Sequence, residues 1–321
     1  MNQFMWSDLA FSSKKPLKDL DAIFIAAPRE ISAQRIKQLL KDYLPKANVV
    51  IGVSTEDFVV GLEGQPQFAM LQQTALTGLA KQVQDSKSPH KLYTLQYSQS
   101  DLPHILNKAL FQQVLLVNAS WHHSFHTLPA YYALVNSNTK YKYISAFTGE
   151  EEARAYEQKL QSQLITPKAA IGSVHTDEAM MNIAMDAAKS SYDYGFQTGA
   201  ALGAKQKEGY KLLGWSYNAV VPFQTHALLH GASREAHFSP PNDLNHYDTV
   251  HAEVMAVLDA HRQGTSLKGA TLFVNLMPCP HCARMLSQTG IADVVYFADH
   301  SDGYAVQLLQ QTGKTIRRLI P

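Results

Sequence analysis

Cysteine is almost absent: Cys279 and Cys282 are the only two in 321 residues. One such close pair cannot staple a secreted fold, but it suits a metal site in a reducing compartment. Charge of one sign is equally scarce, with Lys+Arg 28 against Asp+Glu 27. That balance gives no global pull toward nucleic acid or an anionic membrane, so any nucleic-acid contact has to be local. No apolar run approaches the roughly 20 residues of a membrane span. The opening Met1-Asn2-Gln3-Phe4-Met5-Trp6 lacks the basic-then-apolar plan of a secretory signal. The expected address is the cytoplasm, with no membrane partner. Glycine-rich phosphate loops are missing too. Neither G-x-G-x-x-G nor G-x-x-x-x-G-K-[ST] occurs in the first half, and Gly61-Leu62-Glu63-Gly64 is too short and carries no phosphate-binding lysine.

What is present first is a rhythm. From Asp21 onward, β-rich runs at Ala22 to Ala26, Asn48 to Ser54, Lys91 to Tyr97 and Val114 to Val117 alternate with amphipathic segments such as Ile31 to Tyr43. This βαβ alternation predicts a mostly parallel sheet covered by helices. A further strand over Tyr141 to Phe147 leads into an acidic helix start at Gly149-Glu150-Glu151-Glu152. Residues 1–165 are read as one α/β domain, with nucleotide, RNA or effector binding as its open roles. The pattern breaks at Thr166-Pro167-Lys168, which opens a second domain over 166–321. The chain's length also favours two domains. Two stretches of the first domain carry chemistry-bearing residues. Asn118 to His126 follows a strand, where open α/β sheets bind ligands, but packed aromatics and solvated histidines explain it as well. Lys140-Tyr141-Lys142-Tyr143 interleaves bases with aromatics as single-strand binders do, yet strict alternation is also the mark of a half-buried strand.

In the second domain a helix is expected from Thr176, with Met180, Ile183, Ala184 and Ala187 as its apolar stripe. Strands follow at Gln197 to Ala204 and Tyr210 to Asn218. After a polar loop come a helix from His251, a strand Ala270 to Leu276, a helix from Cys279, a strand Ala292 to Phe297, a helix through Leu308 and Leu309, and a strand Thr315 to Ile320.

The chemistry concentrates in His251-Ala252-Glu253 and Pro278-Cys279-Pro280-His281-Cys282. H-x-E followed by P-C-x-x-C is the signature of zinc deaminases that act on nucleobases. His251, Cys279 and Cys282 supply three ligands for Zn2+ and leave a fourth position for water. Helices starting at His251 and Cys279 would turn their positive ends to the metal and favour thiolates. Glu253 is two residues from His251 and does not share its helix face, so it reads as a proton carrier and not a ligand.

Blander readings stand beside this one. H-A-E alone is usually a helix start with a solvated glutamate, and only the coupled P-C-x-x-C gives it weight. His281 could compete as a ligand from inside the spacer. Cys279-Pro280-His281-Cys282 is also the tetrapeptide of an oxidising thioredoxin-like thiol-disulfide oxidoreductase. That reading leaves His251 and Glu253 unexplained. It also lacks the later proline strand of that fold, since only Pro321 follows Pro280.

These residues resemble the zinc-dependent cytidine/deoxycytidylate deaminase superfamily, and most closely its deoxycytidylate deaminases, over about 176–321. The resemblance is carried by Gly214-Trp215-Ser216-Tyr217-Asn218, His251-Ala252-Glu253-Val254-Met255-Ala256, Ala270 to Cys279 and Thr289 to Tyr296. It implies a three-layer cytidine-deaminase-like fold with a five-stranded mixed sheet. It also implies a homo-oligomer, and a hydrolase that uses water to deaminate a nucleotide or nucleobase. By the same resemblance Asn218 contacts the sugar, the backbone of Ala252 bonds the base, and the carbonyl of Met277 accepts from the amino group. The helical crossover in Ser301 to Gly313 predicts parallel final strands, shared by deoxycytidylate and transfer-RNA adenosine deaminases. Met277 replaces the Glu typical of the transfer-RNA group, whereas Tyr247-Asp248-Thr249 is not the deoxycytidylate pattern.

The preferred substrate is therefore deoxycytidylate. The alternatives are adenine or cytosine in RNA, or a free purine base. His226 and His230 could help hold a second structural zinc, against a solvated loop that also carries His237 and His246. Arg234, Lys205 and Arg284 are candidate phosphate partners, against solvated surface charge.

Overall fold

The computed structural model describes residues 2–5, 22–84, 88–240, 243, 245–299 and 303–320. Its contacts group the chain into two compact units. The first is Met1–Ser162 with Thr225–Tyr247, and the second is Gln163–Gln224 with Asp248–Pro321. The chain thus passes from one unit to the other three times, and residues 225–247 group with the N-terminal unit.

In chain order the first unit begins β1 (Asn2–Met5), β2 (Ala22–Ile25), α1 (Ala33–Tyr43), β3 (Asn48–Ser54), α2 (Gln73–Gln84), β4 (Leu92–Tyr97), α3 (Leu102–Lys108), β5 (Gln113–Val117), α4 (Pro129–Asn136), β6 (Tyr141–Ile144) and α5 (Glu150–Leu160). Its sheet has the order β1-β4-β3-β2-β5-β6, and every neighbouring pair is parallel. Central strands read AIFI and QVLLV because both faces are covered, which removes the need for alternation. Helix α1 starts where Ser32 Oγ accepts the Arg35 N–H at 2.9 Å, and buries Ile36, Leu39 and Leu40.

The second unit begins β7 (Val174–His175), α6 (Asp177–Ala188), β8 (Gly199–Gln206), β9 (Gly209–Tyr217) and β10 (Ala219–Val220). The chain then forms α7 (His226–His230) and α8 (Ser233–Ala236), which group with the first unit. It returns through β11 (Thr249–Val250), α9 (Ala252–Arg262), β12 (Ala270–Leu276), α10 (Pro280–Ser287), β13 (Asp293–Ala298), α11 (Tyr304–Gln311) and β14 (Thr315–Arg318). The main sheet has the order β14-β13-β12-β8-β9-β7. Strands β12, β13 and β14 run parallel, as the crossover length required, while β8, β9 and β7 are antiparallel. The five strands read from the sequence are all present, and the two-residue β7 adds a sixth at the edge.

Alternation sorts the side chains of this mixed sheet into two cores. Leu202, Leu272, Val274, Val294 and Ile316 face Ala252, Ala256, Ala283, Leu286, Ala305 and Leu309 of α9, α10 and α11. On the other face, Ala201, Leu212, Phe273 and Val295 pack with Met180, Met181, Ile183 and Ala184 of α6. Three layers result. The small residues on α9 let that helix sit close to the sheet, and this fixes where its first turn points.

The tightest helix–sheet approach is at Gly199. A Cβ there would lie 2.1 Å from the Ala184 carbonyl oxygen and 2.4 Å from the Ala188 nitrogen, both backbone atoms that no rotamer change can move. Overpacking of this kind destabilises by about 3 kcal/mol, the upper end of the usual range. Gly199→Ala is therefore expected to lower the urea midpoint by that equivalent at unchanged slope.

Residues 225–247 are not the solvated loop that polarity suggests. Glu235, only 9% exposed, accepts the backbone N–H groups of Phe125 (2.6 Å) and His126 (3.1 Å) and the hydroxyl of Tyr143. The His126 ring meets the same carboxylate through Nδ1 at 3.2 Å and the Ser239 carbonyl through Nε2 at 3.0 Å. Both ring nitrogens thus face acceptors inside the fold. This buried polar cluster ties the segment into the first unit.

Candidate active site

Two helix starts build the site. His251 is the N-cap of α9 in extended conformation, and Cys279 is the N-cap of α10 with Pro280 at the first helical position. Proline is favoured there because its missing N–H would have no partner anyway. The Cys279 sulfur accepts the Cys282 N–H at 3.5 Å. His251 Nδ1 lies 3.6 Å from the Cys279 sulfur and 3.4 Å from the Cys282 sulfur. All three donor atoms fall within 4.8 Å of one another, and this is the one such group among the described residues. Tetrahedral zinc with Zn–S near 2.3 Å and Zn–N near 2.0 Å requires roughly 3.5 Å between nitrogen and sulfur ligands. The donor set and its spacing both fit Zn2+.

Electrostatics point the same way. The Cys279 thiol is pushed down to about 3 by the Cys282 hydrogen bond and by His251, against its burial. The Cys282 thiol is held up by its bond to Cys279 and by burial. A bound cation would favour both thiolates. His251 is raised despite its burial, because Cys279 and Glu253 favour its charged form.

Glu253 is 3% exposed, and its Oε2 has no hydrogen-bond partner among the described residues. Burial raises its carboxyl, with His251 working in the opposite direction. A buried, raised carboxyl with a free oxygen beside a metal-ligand set is suited to taking up and giving back a proton.

The three residues assigned to substrate by resemblance lie around this centre. The side chain of Asn218 bridges two loops: Oδ1 accepts the Ala252 N–H at 2.9 Å and Nδ2 donates to the Phe196 carbonyl at 2.9 Å. Asn218 and the Ala252 N–H are thus partners of each other, which fixes the first turn of α9. Met277 is 2% exposed and follows β12, its N–H donating to the Ala298 carbonyl at 2.8 Å.

Three supports escaped sequence reasoning. Ser216 donates to the Ala252 carbonyl at 2.8 Å. Asn275 accepts from Gly199 N–H and donates to the Gln197 carbonyl. Asp193 is half-buried and accepts from Gly195 and Phe196 N–H, its carboxyl raised by desolvation. Only Asp193 left a signal, the Asp-x-Gly spacing of an Asx turn.

Other sequence candidates resolve differently. Arg234 is 9% exposed, donates to the Asp243 carbonyl and lies 4.9 Å from the Tyr247 ring centre, so it is committed within its own segment. Arg284 bonds the Pro280 carbonyl and the Tyr304 hydroxyl, and Lys205 is exposed near the end of β8. His226 and His230 have ring centres 4.7 Å apart, and His237 stacks on His246 at 4.1 Å. Neither pair belongs to a three-ligand group among the described residues. No described helix is long and apolar enough to cross a membrane.

Comparison with known proteins places this geometry. Residues 174–298 match the model of the cytidine and deoxycytidylate deaminase zinc-binding region. The deoxycytidylate deaminase of Enterobacteria phage T2 is 43% identical over 60 residues, 19% of this chain and 32% of the phage protein. The chain therefore spans about a third of that relative's length. The human deoxycytidylate deaminase is 29% identical over 154 residues, 45% of this chain and 79% of the human protein. A crystal structure of the dCMP deaminase of cyanophage S-TIM5 with dCMP and dUMP pairs at a TM-score of 0.35 and 22% identity, covering 44% of this chain and 95% of that one. Residues 174–298, which hold the His251, Cys279 and Cys282 donor set, are thus similar to the zinc-binding region of the cytidine and deoxycytidylate deaminases.

Proposed function

We propose that the protein is a zinc-dependent hydrolase that deaminates the cytosine of deoxycytidylate, giving the uracil nucleotide and ammonia. The observation that carries this reading is Glu253: buried, with a free carboxylate oxygen, two residues from one member of the His251, Cys279 and Cys282 set. The named relatives supply the substrate. A bound zinc ion supplies the Lewis acid that lowers the pKa of a water molecule toward ~7.

The protein's own residues supply the rest. Glu253 takes a proton from the attacking water and passes it to a ring nitrogen of the base. It then takes the second proton from the hydroxyl now on the ring carbon and delivers it to the amino group, so that the carbonyl forms as the C–N bond breaks and ammonia leaves. The carbonyl of Met277 orients that amino group. Asn218 contacts the sugar and Ala252 N–H the base, which requires the Asn218–Ala252 bond to exchange for substrate. We take the enzyme to be a cytoplasmic homo-oligomer, with residues 1–165 as a separate binding or sensing domain.

The test is ammonia release from deoxycytidylate, deoxycytidine, cytosine, adenosine, guanine and transfer RNA. Deoxycytidylate is expected to exceed every other substrate in kcat/KM by at least about tenfold, which corresponds to roughly 1.4 kcal/mol of transition-state discrimination. Activity confined to transfer RNA or guanine would overturn the assignment.

A further inference from the structure

We propose that the carboxyl end of the parallel sheet, at Arg29, is a binding site for the phosphate group of a phosphorylated small molecule. Strand β2 sits between β3 and β5, so the connections leaving β2 and β5 run to opposite sides. Open α/β sheets bind ligands in the crevice at the carboxyl ends where the strand order reverses in this way. Arg29 lies in the connection after β2 and is 0% exposed. Its backbone N–H donates to Ser120 Oγ at 3.0 Å, which ties it to the connection after β5.

The guanidinium is only partly satisfied. Nη2 donates to the Tyr156 hydroxyl at 3.0 Å, and the group lies 5.5 Å from the centre of that ring. Nε and Nη1 have no acceptor among the described residues. The Tyr156 hydroxyl in turn donates to Glu30 Oε2 at 3.2 Å, and burial holds Tyr156 protonated. A neutral phenol therefore stands between the cation and the nearest acid in this network. A buried charge without a counter-ion is among the costliest arrangements in a fold, and an oxyanion accepting from Nε and Nη1 removes that cost.

One neighbour supports the assignment. Ala119, beside Ser120, holds a left-handed φ of 59°, a strain that concentrates at ligand sites. Helix α1 begins four residues beyond Arg29, but its start is already capped by Ser32 and adds nothing to the site. No glycine-rich loop is present to cradle a diphosphate, so the site is fitted to one phosphate group. Because Arg29 is fully enclosed, entry requires the connections carrying Arg29 and Ser120 to part.

The test uses the full-length, zinc-loaded chain and follows thermal unfolding while inorganic phosphate is titrated against chloride at constant ionic strength. A nucleoside monophosphate, AMP, serves as a second probe to distinguish a free phosphate from one carried on a larger molecule. Wild type is expected to gain several degrees saturably with at least one of the two probes. Arg29→Met is expected to match or exceed wild type in chloride and to gain nothing from either probe, and Arg29→Lys to bind at least about tenfold more weakly, having lost the planar fork. Glu253→Gln is expected to keep the full shift, which separates this site from the deaminase centre. A wild type that responds to neither probe beyond the chloride control overturns the proposal, and this arm decides even if Arg29→Met fails to fold. An unchanged response in Arg29→Met, or its loss in Glu253→Gln, overturns it as well.

Discussion

Glu253→Gln is expected to slow deamination of deoxycytidylate by about 10³-fold or more, within or above the usual range for removing a general acid–base group, while zinc content stays at one per chain. The substitution keeps volume and hydrogen-bonding capacity but cannot shuttle a proton. Glu253 is 3% exposed, so no bulk water replaces it at the same position. If Glu253 has the proposed role of proton carrier and not ligand, the loss falls mainly on kcat, with KM changing little. Metal analysis and steady-state kinetics on the same preparation check both halves. Retained full activity would remove the proton-transfer role, and loss of zinc would move Glu253 into the ligand set.

Cys282→Ser is expected to abolish activity by a different route, through metal loss. A serine hydroxyl does not ionise near neutral pH and makes a poor zinc ligand, so affinity should fall by more than the 10- to 100-fold typical of outer-sphere changes. Cys282 also sits in the first turn of α10, with its N–H on the Cys279 sulfur, and this helix packs its Ala283 and Leu286 into the sheet core. Zinc content and melting temperature are therefore expected to fall together. Full zinc occupancy and activity in Cys282→Ser would sink the three-ligand assignment. Loss of a dithiol cycle alone, with no change in zinc, would instead favour the oxidoreductase reading of the same tetrapeptide.

The parts of this molecule that were legible in its sequence are those set by local chemistry. Period-2 alternation in ATLFVNL placed Leu272 and Val274 on one face and Phe273 on the other, as the two cores contain them. The unbroken apolar runs AIFI and QVLLV announced strands covered on both faces. The grouping of His251, Cys279 and Cys282 was legible because these residues come from two short motifs at helix starts, where spacing alone constrains geometry.

What could not be read depends on partners far away in sequence. Glu235 looks like a solvated acid, yet it is buried against Phe125, His126 and Tyr143, about a hundred residues earlier. The Asn218 side chain was assigned to substrate by resemblance, and only three-dimensional placement reveals its bond to Ala252 N–H. Arg29 gave no signal at all, because a buried guanidinium with two nitrogens unmatched among the described residues is defined by what surrounds it in space.

The three passages of the chain between the two units have a consequence during synthesis. Residues 225–247 cannot reach Phe125, His126 and Tyr143 until they have left the ribosome, when more than two-thirds of the protein has been made. The N-terminal part therefore emerges complete in its sheet but without the carboxylate that its Phe125 and His126 amides require. Domains generally fold as units in order of emergence, but here the first unit gains its last segment only after residues 163–224 of the second have been made. A nascent chain halted shortly after residue 162 would hold that open form, which makes the interval between residues 162 and 247 the period in which a chaperone has something to hold.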